Sequence, residues 1–274
     1  MGIEDAVLWI SFVTGILGTV ALVWQFLVHW TGRREKRNKS LSDNILRPWS
    51  ELQVRESFGP GEGTGLRLWI PKESLPANVA PSTSTDGLDL DRLPGLARAE
   101  GFLRKNYPPS FSTWVNVKAL SENFTTVRRR RRSVIQGFVR TGMAELGVPL
   151  QAVQWEDWGP FTYIFDNIIA EVEDMAYWAA KYGRPVRNIR LGRTSSGEMI
   201  SFEVSGNYSL LKVPEERRDV ADVFVARLAG WTSDAQVLSD SAEMVKLYSE
   251  LEKAITGLRS ALKEIAVAID MTGR

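Results

Sequence analysis

The amino-acid sequence predicts an α+β protein that is mostly α-helical: an N-terminal transmembrane helix, then a soluble antiparallel helical bundle with a small inserted antiparallel β-sheet of two or three strands. Three observations indicate this fold class. Residues 6–30 form one apolar segment without a charged side chain. Apolar residues then recur every three or four positions over several long stretches, whereas alternation of apolar and polar residues is clearest over residues 186–213.

The apolar segment from Ala6 to Trp30 has the length of a membrane span. At about 1.5 Å of rise per helical residue it extends about 37 Å, and the hydrocarbon layer of a bilayer is about 30 Å thick. A cleaved secretory leader would have a basic start and a shorter apolar core, but Glu4 and Asp5 precede this segment. We therefore expect a signal-anchor helix in residues 1–32, with the lipid bilayer as its partner.

Basic residues cluster on the C-terminal side of the predicted span. Because Lys and Arg next to a span stay on the cytoplasmic side, we expect a single-pass cell-membrane protein with its N-terminus outside and its large domain in the cytoplasm. Each basic side chain near anionic lipid contributes on the order of 1 kcal/mol. The residues predicted to contact the membrane surface are Arg33, Arg34, Lys36, Arg37 and Lys39.

Small side chains recur at four-residue spacing inside the span, at Ser11, Gly15 and Thr19. Such spacing lets two membrane helices approach closely, so one interpretation is a homo-oligomer that forms through these residues. The other interpretation is a monomeric anchor, because small residues are common in membrane helices generally.

Composition excludes several kinds of chemistry. The chain has no cysteine, which rules out disulfides, thiolate metal sites and cysteine nucleophiles. Its one histidine, His29, lies in the apolar segment, so the soluble part lacks histidine-based zinc sites and Ser-His-Asp triads. The net charge of +1 disfavours general attraction to nucleic acid. We assign no catalytic residue, no metal ligand and no cofactor from the sequence.

Two stretches connect the span to the main domain. Residues 33–58 combine the basic segment with a linking helix. Residues 59–94 are rich in glycine and proline, but the stretch from Gly59 to Gly65 lacks the Gly-Lys-Ser/Thr sequence of a phosphate-binding loop. Residues 66–70 have the pattern of a short strand. The remaining residues, 95–274, are predicted to form the cytosolic helical domain.

Helical spacing predicts most of that domain. A strict 3.5-residue apolar repeat runs from Met244 to Ile269, and its stripe is wide, which is typical of an intramolecular bundle. Earlier helices are predicted over 95–106, from Ser112 onward, over 161–182 and from Pro214.

Strand-like alternation predicts a hairpin between the third long helix and the last pair. Its strands contain Ile189 to Leu191 and Ile200 to Val204, joined by a glycine-bearing turn, and residues 208–213 are a candidate third strand.

Five consecutive arginines interrupt the long helical pattern. Continuing that pattern places Arg131 on the apolar stripe, where an unpaired charge is costly, so we expect the helix to leave the bundle, bend or break there. One interpretation is a docking site for anionic lipid, nucleic acid or an acidic protein. The other is a turn whose arginines pair with the domain's own carboxylates. The predicted anionic-partner residues are Arg128, Arg129, Arg130, Arg131 and Arg132.

Three functions follow from these features. We place first a single-pass membrane protein whose cytosolic helical domain is a binding or scaffolding module for a protein or an anionic partner. The alternatives are a carboxylate- and metal-dependent hydrolase at the membrane surface and an extracytoplasmic ligand-binding domain. The acids that would serve the hydrolase are Asp86, Asp89, Asp91, Glu171 and Asp174, and the glycosylation sites that would favour an external domain are Asn38, Asn123 and Asn207.

Overall fold

The structure is a computed structural model that describes the backbone of residues 3–58, 63–81, 87–145, 162–184, 188–194, 197–204, 207–213 and 218–272. Side chains are described from Leu22 onward, except in several stretches that include the sheet of residues 188–213. The chain divides into two compact units. Unit 1 contains residues 1–51, 70–107 and 259–274, and unit 2 contains residues 52–69 and 108–258.

Helices dominate the described residues, which confirms a mostly α protein of the α+β class. The helices are α1 (Ile3–Leu41), α2 (Arg47–Trp49), α3 (Leu96–Asn106), α4 (Pro108–Glu145), α5 (Thr162–Tyr182), α6 (Arg218–Thr232) and α7 (Ala235–Thr272). The strands are β1 (Gln53–Ser57), β2 (Gly65–Pro71), β3 (Gly87–Asp89), β4 (Asn188–Thr194), β5 (Gly197–Val204) and β6 (Asn207–Val213).

Helix α1 joins the predicted span and the basic segment into one continuous helix. It passes through a π-helical turn, Ser42–Leu46, directly into α2. Pro48 lies in α2 directly after the π-helical turn, and because proline has no N–H it donates no hydrogen bond to a carbonyl of that turn. From Leu22 to Trp30 every side chain is exposed, although most are large and apolar; Phe26, for example, is 69% exposed.

The predicted membrane span falls largely on residues without described side chains. Over the part of the chain whose side chains are described, none of the helices is both long enough and apolar enough to cross a bilayer. Residues 6–21, with Ser11, Gly15 and Thr19, lie outside that part. The anchor and any self-association through it therefore stay predictions.

Unit 1 is stabilised where the end of α7 meets the segment that follows α1. Glu51 forms ion pairs with Arg259 at 3.2 Å and with Lys263 at 2.7 Å, and Arg47 pairs with Asp270. These partly exposed pairs add little free energy, so apolar burial supplies most of the stability. The buried apolar side chains of the two segments are Leu41, Ile45, Leu46, Trp49, Leu262, Ile265 and Ile269.

Unit 2 is a helical bundle with a small sheet, as predicted. Helix α4 packs against α5 and α6, and α5 also contacts β5. A central cluster joins Phe124 and Val127 of α4, Tyr177 of α5 and Met244 of α7. The interior of this unit therefore draws on three helices that are far apart in sequence.

The sheet of unit 2 has the antiparallel strand order β4-β5-β6. Ile189 pairs with Phe202, and Ile200 lies between Leu191 and Leu211. This register confirms the predicted hairpin and its third strand. The strands are longer than the alternation indicated, because β4 continues through Gly192 as far as Thr194.

The expectation that the long helix leaves the bundle or breaks at the five arginines is wrong. Helix α4 continues from Pro108 to Glu145, and Arg131 is fully buried within the bundle. Val127 and Ile135, one turn to either side, are buried as well. The apolar stripe therefore runs through the arginine segment, with one charged side chain accommodated inside it.

Adding a methyl group at either of two glycines of α4 should change the stability of the protein in opposite directions. A Cβ at Gly142 would lie 2.4 Å from the Trp231 ring of α6, whereas a Cβ at Gly137 meets nothing within 4 Å. We expect Gly142→Ala to destabilise the protein by about 1–3 kcal/mol through overpacking. Gly137→Ala should stabilise it by up to about 1 kcal/mol through helix propensity. Denaturant unfolding of the two variants measures both changes, and equal shifts would contradict the close contact of α4 with α6.

Candidate functional site

A cavity of about 810 Å³ in unit 1 is lined by residues of α1 and α3. This volume is within the range of about 300–1,000 Å³ that is common for ligand pockets. Its cationic side chains define what we call the basic cavity, and each of them is exposed to solvent. They are Arg33, Arg34, Arg37, Arg98 and Lys105.

Helical spacing explains how α1 forms one wall of the basic cavity. The residues that line it follow one another at intervals of three, one, three, one and three positions, which keeps them on one face of the helix. Its contributors from α1 are Trp30, Arg33, Arg34, Arg37, Asn38 and Leu41. The Arg34 guanidinium lies 5.8 Å from the centre of the Trp30 ring.

Helix α3 forms the opposite wall by the same rule. Arg98, Phe102 and Lys105 are separated by four and three residues, so they share a face. Arg98 also donates a hydrogen bond of 3.3 Å from Nη2 to the carbonyl oxygen of Arg37. This bond connects the two walls.

The basic cavity carries no compensating negative charge among the described residues. Its lining contains no Asp or Glu, and none of its five cations forms an ion pair with a described carboxylate. The arrangement therefore presents several hydrogen-bond donors of one charge to a single concave space. Such a set of donors is suited to an anion.

Only some of the residues that we predicted to contact the membrane surface line the basic cavity. Arg33, Arg34 and Arg37 line the basic cavity, whereas Lys36 and Lys39 do not. The cavity also includes two cations of α3 that the sequence analysis did not select. The four- and three-residue steps from Arg98 through Phe102 to Lys105 were the available signal, but α3 could not be matched to α1 without the fold.

The five-arginine segment of α4 is largely engaged inside unit 2. Arg130 binds Asp240 at 2.6 Å and Glu243 at 2.7 Å, and Arg132 binds Glu173 at 3.0 Å. Arg128 has further interactions of its own. Within the described residues, only the exposed Arg129 of this segment has no side-chain partner. These contacts support the alternative in which the run pairs with the domain's own carboxylates, and docking of an anionic partner there stays a prediction.

Arg131 is the buried member of the segment. Its Nη1 donates a 3.0 Å hydrogen bond to the Ser241 hydroxyl, while Nε and Nη2 have no hydrogen-bond partner among the described residues. Burial lowers the pKa of Arg131, and the negative charges of Glu173 and Asp174 oppose that change. Those two carboxylates therefore supply the nearby countercharge that a buried guanidinium requires.

Burial also raises the pKa values of the two carboxylates beside Arg131. Burial raises the pKa of Glu173 to about 7 against the opposing positive charges of Arg131 and Arg132. Burial also raises the pKa of Asp174 to about 7, although the Thr64 hydroxyl donates a 2.7 Å hydrogen bond to it. Both groups are thus poised to change charge near neutral pH.

The acids that we considered for a metal-dependent hydrolase do not come together in the described part of the chain. No group of three or more His, Asp or Glu side chains there is close enough to hold a metal ion. Glu171 and Asp174 lie on α5 in unit 2, whereas Asp89 and Asp91 lie in unit 1, and Asp86 is outside the described residues.

Comparison with known proteins adds no identification. No protein-family model, no curated protein and no solved structure matches this chain. We therefore infer function from the exposed apolar part of α1, the basic cavity and the buried charges of unit 2.

The raised pKa values of Glu173 and Asp174 predict that these two groups contribute more to stability in mild acid than at neutral pH. Because the folded state keeps protons that the unfolded chain releases, stability should fall as pH rises from about 4 to about 7, by at most about 1.4 kcal/mol per pH unit for each group. Asp174→Asn removes one of the two groups but keeps an oxygen acceptor for Thr64. Unfolding of the full-length protein at pH 5, 6, 7 and 8 should show a shallower decline in the free energy of unfolding for this variant.

The matched control for this test is Glu122→Gln, which changes an exposed carboxylate of α4. Its stability should follow the pH dependence of the unchanged protein. An unaltered slope in Asp174→Asn would show that the buried aspartate keeps its charge across this range.

Proposed function

We propose that this protein is a single-pass membrane-anchored binding protein. Residues 6–30 are the anchor, the N-terminus lies outside the cell, and the helical units lie in the cytoplasm, where they bind an anionic or protein partner. The observation that carries this proposal is the exposed apolar surface of α1 from Leu22 to Trp30, on a helix that continues without a break to Leu41.

The physical argument is the free energy of that surface in water. Exposed apolar area costs about 25 cal/mol per Å², and soluble proteins rarely expose large contiguous patches of it. A helix that is apolar on all sides is normally buried in a core or in lipid. The described part of the chain leaves this surface uncovered, and the preceding residues 6–21 contain no charged side chain. A bilayer would cover the whole segment.

The basic residues after Trp30 support the proposed orientation. Lys and Arg next to a span favour the cytoplasmic side, and Arg33 to Lys39 belong to the same helix as the apolar surface. An external domain would place this charge on the opposite side. No arrangement of the described acids favours the hydrolase alternative.

The absence of cysteine permits a direct test of anchoring and orientation. Gly2→Cys places one thiol before the span, and Met271→Cys places one on an exposed position near the end of α7. In intact cells a membrane-impermeant thiol reagent should label Gly2→Cys, and it should label Met271→Cys only after the membrane is permeabilised. The unchanged protein, which lacks a thiol, is the control for background labelling.

Extraction of the membranes with alkaline carbonate tests the anchor independently. The protein should remain with the membrane pellet in alkaline carbonate and dissolve only in detergent, because a span is held by apolar burial rather than by charge. Release by carbonate would overturn the anchor, and labelling of Met271→Cys in intact cells would overturn the orientation.

A further inference from the structure

We infer that the basic cavity binds the phosphate-bearing headgroup of one anionic lipid molecule. The inference rests on the proposed membrane anchor, and it goes further by naming the ligand class and the residues that bind it. Arg33, Arg34 and Arg37 of α1 are on one wall, and Arg98 and Lys105 of α3 are on the other.

Charge is the first argument. Five cations face one concave space, without a carboxylate in the described lining. An anion in this space would relieve the repulsion between them. Four of the five are arginines, whose planar guanidinium groups donate two parallel hydrogen bonds to phosphate oxygens. The chemistry of the site thus favours a phosphate group.

The second argument is the position of the cavity relative to the membrane interface, which favours a lipid over a dissolved phosphate. Trp30 lines the cavity at the end of the apolar segment, where an aromatic ring suits the membrane interface. Arg33 and Arg34 lie three and four residues further along the same helix, which is about 5–6 Å along its axis. Lipid headgroups occupy about 5–7 Å beyond the hydrocarbon layer. The guanidinium groups of Arg33 and Arg34 would therefore lie at the level of lipid phosphates, with Arg37 on the side away from the hydrocarbon layer.

Construction from two helices is the third argument. A basic stretch that only attracts an anionic surface needs no second wall, and Lys36 and Lys39 would serve it as well as Arg33 and Arg37. In the basic cavity, α3 adds two cations, and the hydrogen bond from Arg98 to the Arg37 carbonyl connects its walls. A site whose two walls are already in contact needs less rearrangement to bind its ligand.

A charge-matched pair of variants tests the inference. Arg33→Gln/Arg37→Gln removes two positive charges that line the cavity, and Lys36→Gln/Lys39→Gln removes two from the same helical segment outside it. Binding of phosphatidic acid to the full-length protein in neutral detergent micelles is measured by native mass spectrometry, with phosphatidylcholine as the zwitterionic comparison that has no net charge. One phosphatidic acid molecule should bind per chain with preference over phosphatidylcholine.

The cavity variant should lose affinity by about tenfold or more, because each charge-assisted hydrogen bond to phosphate contributes strongly. The control variant should lose less than about threefold. Arg98→Gln/Lys105→Gln provides a second cavity variant on a different helix and should resemble the first. Far-ultraviolet circular dichroism of all three variants shows whether helix content is retained.

Three results would overturn the inference. Equal losses in the cavity and control variants would mean that binding depends on general surface charge. Displacement of phosphatidic acid by an equal concentration of inorganic phosphate would identify a dissolved ligand instead of a lipid. If the protein showed no preference for phosphatidic acid over phosphatidylcholine, the inference that the basic cavity binds an anionic headgroup would be wrong. Since binding is measured in micelles, each of these results can occur while the protein still resists carbonate extraction, so failure here is distinguishable from failure of the anchor.

Discussion

The other features of the molecule depend on one constraint. The rest of the described chain leaves an apolar surface of α1 uncovered. The exposed side chains from Leu22 to Trp30 belong to the same continuous helix as the basic residues and the buried Leu41. A continuous helix fixes both the spacing of its side chains along the axis and the face on which each one lies. Whatever covers the apolar end therefore also sets the position of the basic cavity, and a bilayer would place that cavity beside its phosphates.

The two groups of arginines illustrate how position decides the role of a charge. In α4, consecutive arginines point in all directions from the helix, so some meet carboxylates of α5 and α7 and Arg131 enters the core. In α1, arginines at helical spacing share one face and meet more cations from α3. The longer run of charge is thus largely neutralised within unit 2. The arginines of α1, Arg33, Arg34 and Arg37, have no ion-pair partner among the described residues.

Much of the fold could be predicted from local pattern. Helix α3 begins within one residue of the predicted start, α5 ends at Tyr182 as expected, and Gly183 follows it with a positive φ of 62°. The sheet was predictable because its alternation is local. The continuity of α4 was not, since the sequence shows a charge on the apolar stripe but gives no information about Ser241, more than a hundred positions away.

The sequence by itself determined most of the helices and the sheet of residues 188–213, the lack of thiol chemistry, the single histidine in the apolar segment, and the charge-free segment before Arg33. These properties depend on residues close together along the chain, so spacing and composition reveal them. Only the tertiary structure decided that the end of α7 belongs to the unit that contains α1, that the α4 arginines have internal partners, and that Arg98 and Lys105 face the arginines of α1. Each of these is a meeting of distant segments, and a pattern within one helix carries no information about which other helix will pack against it.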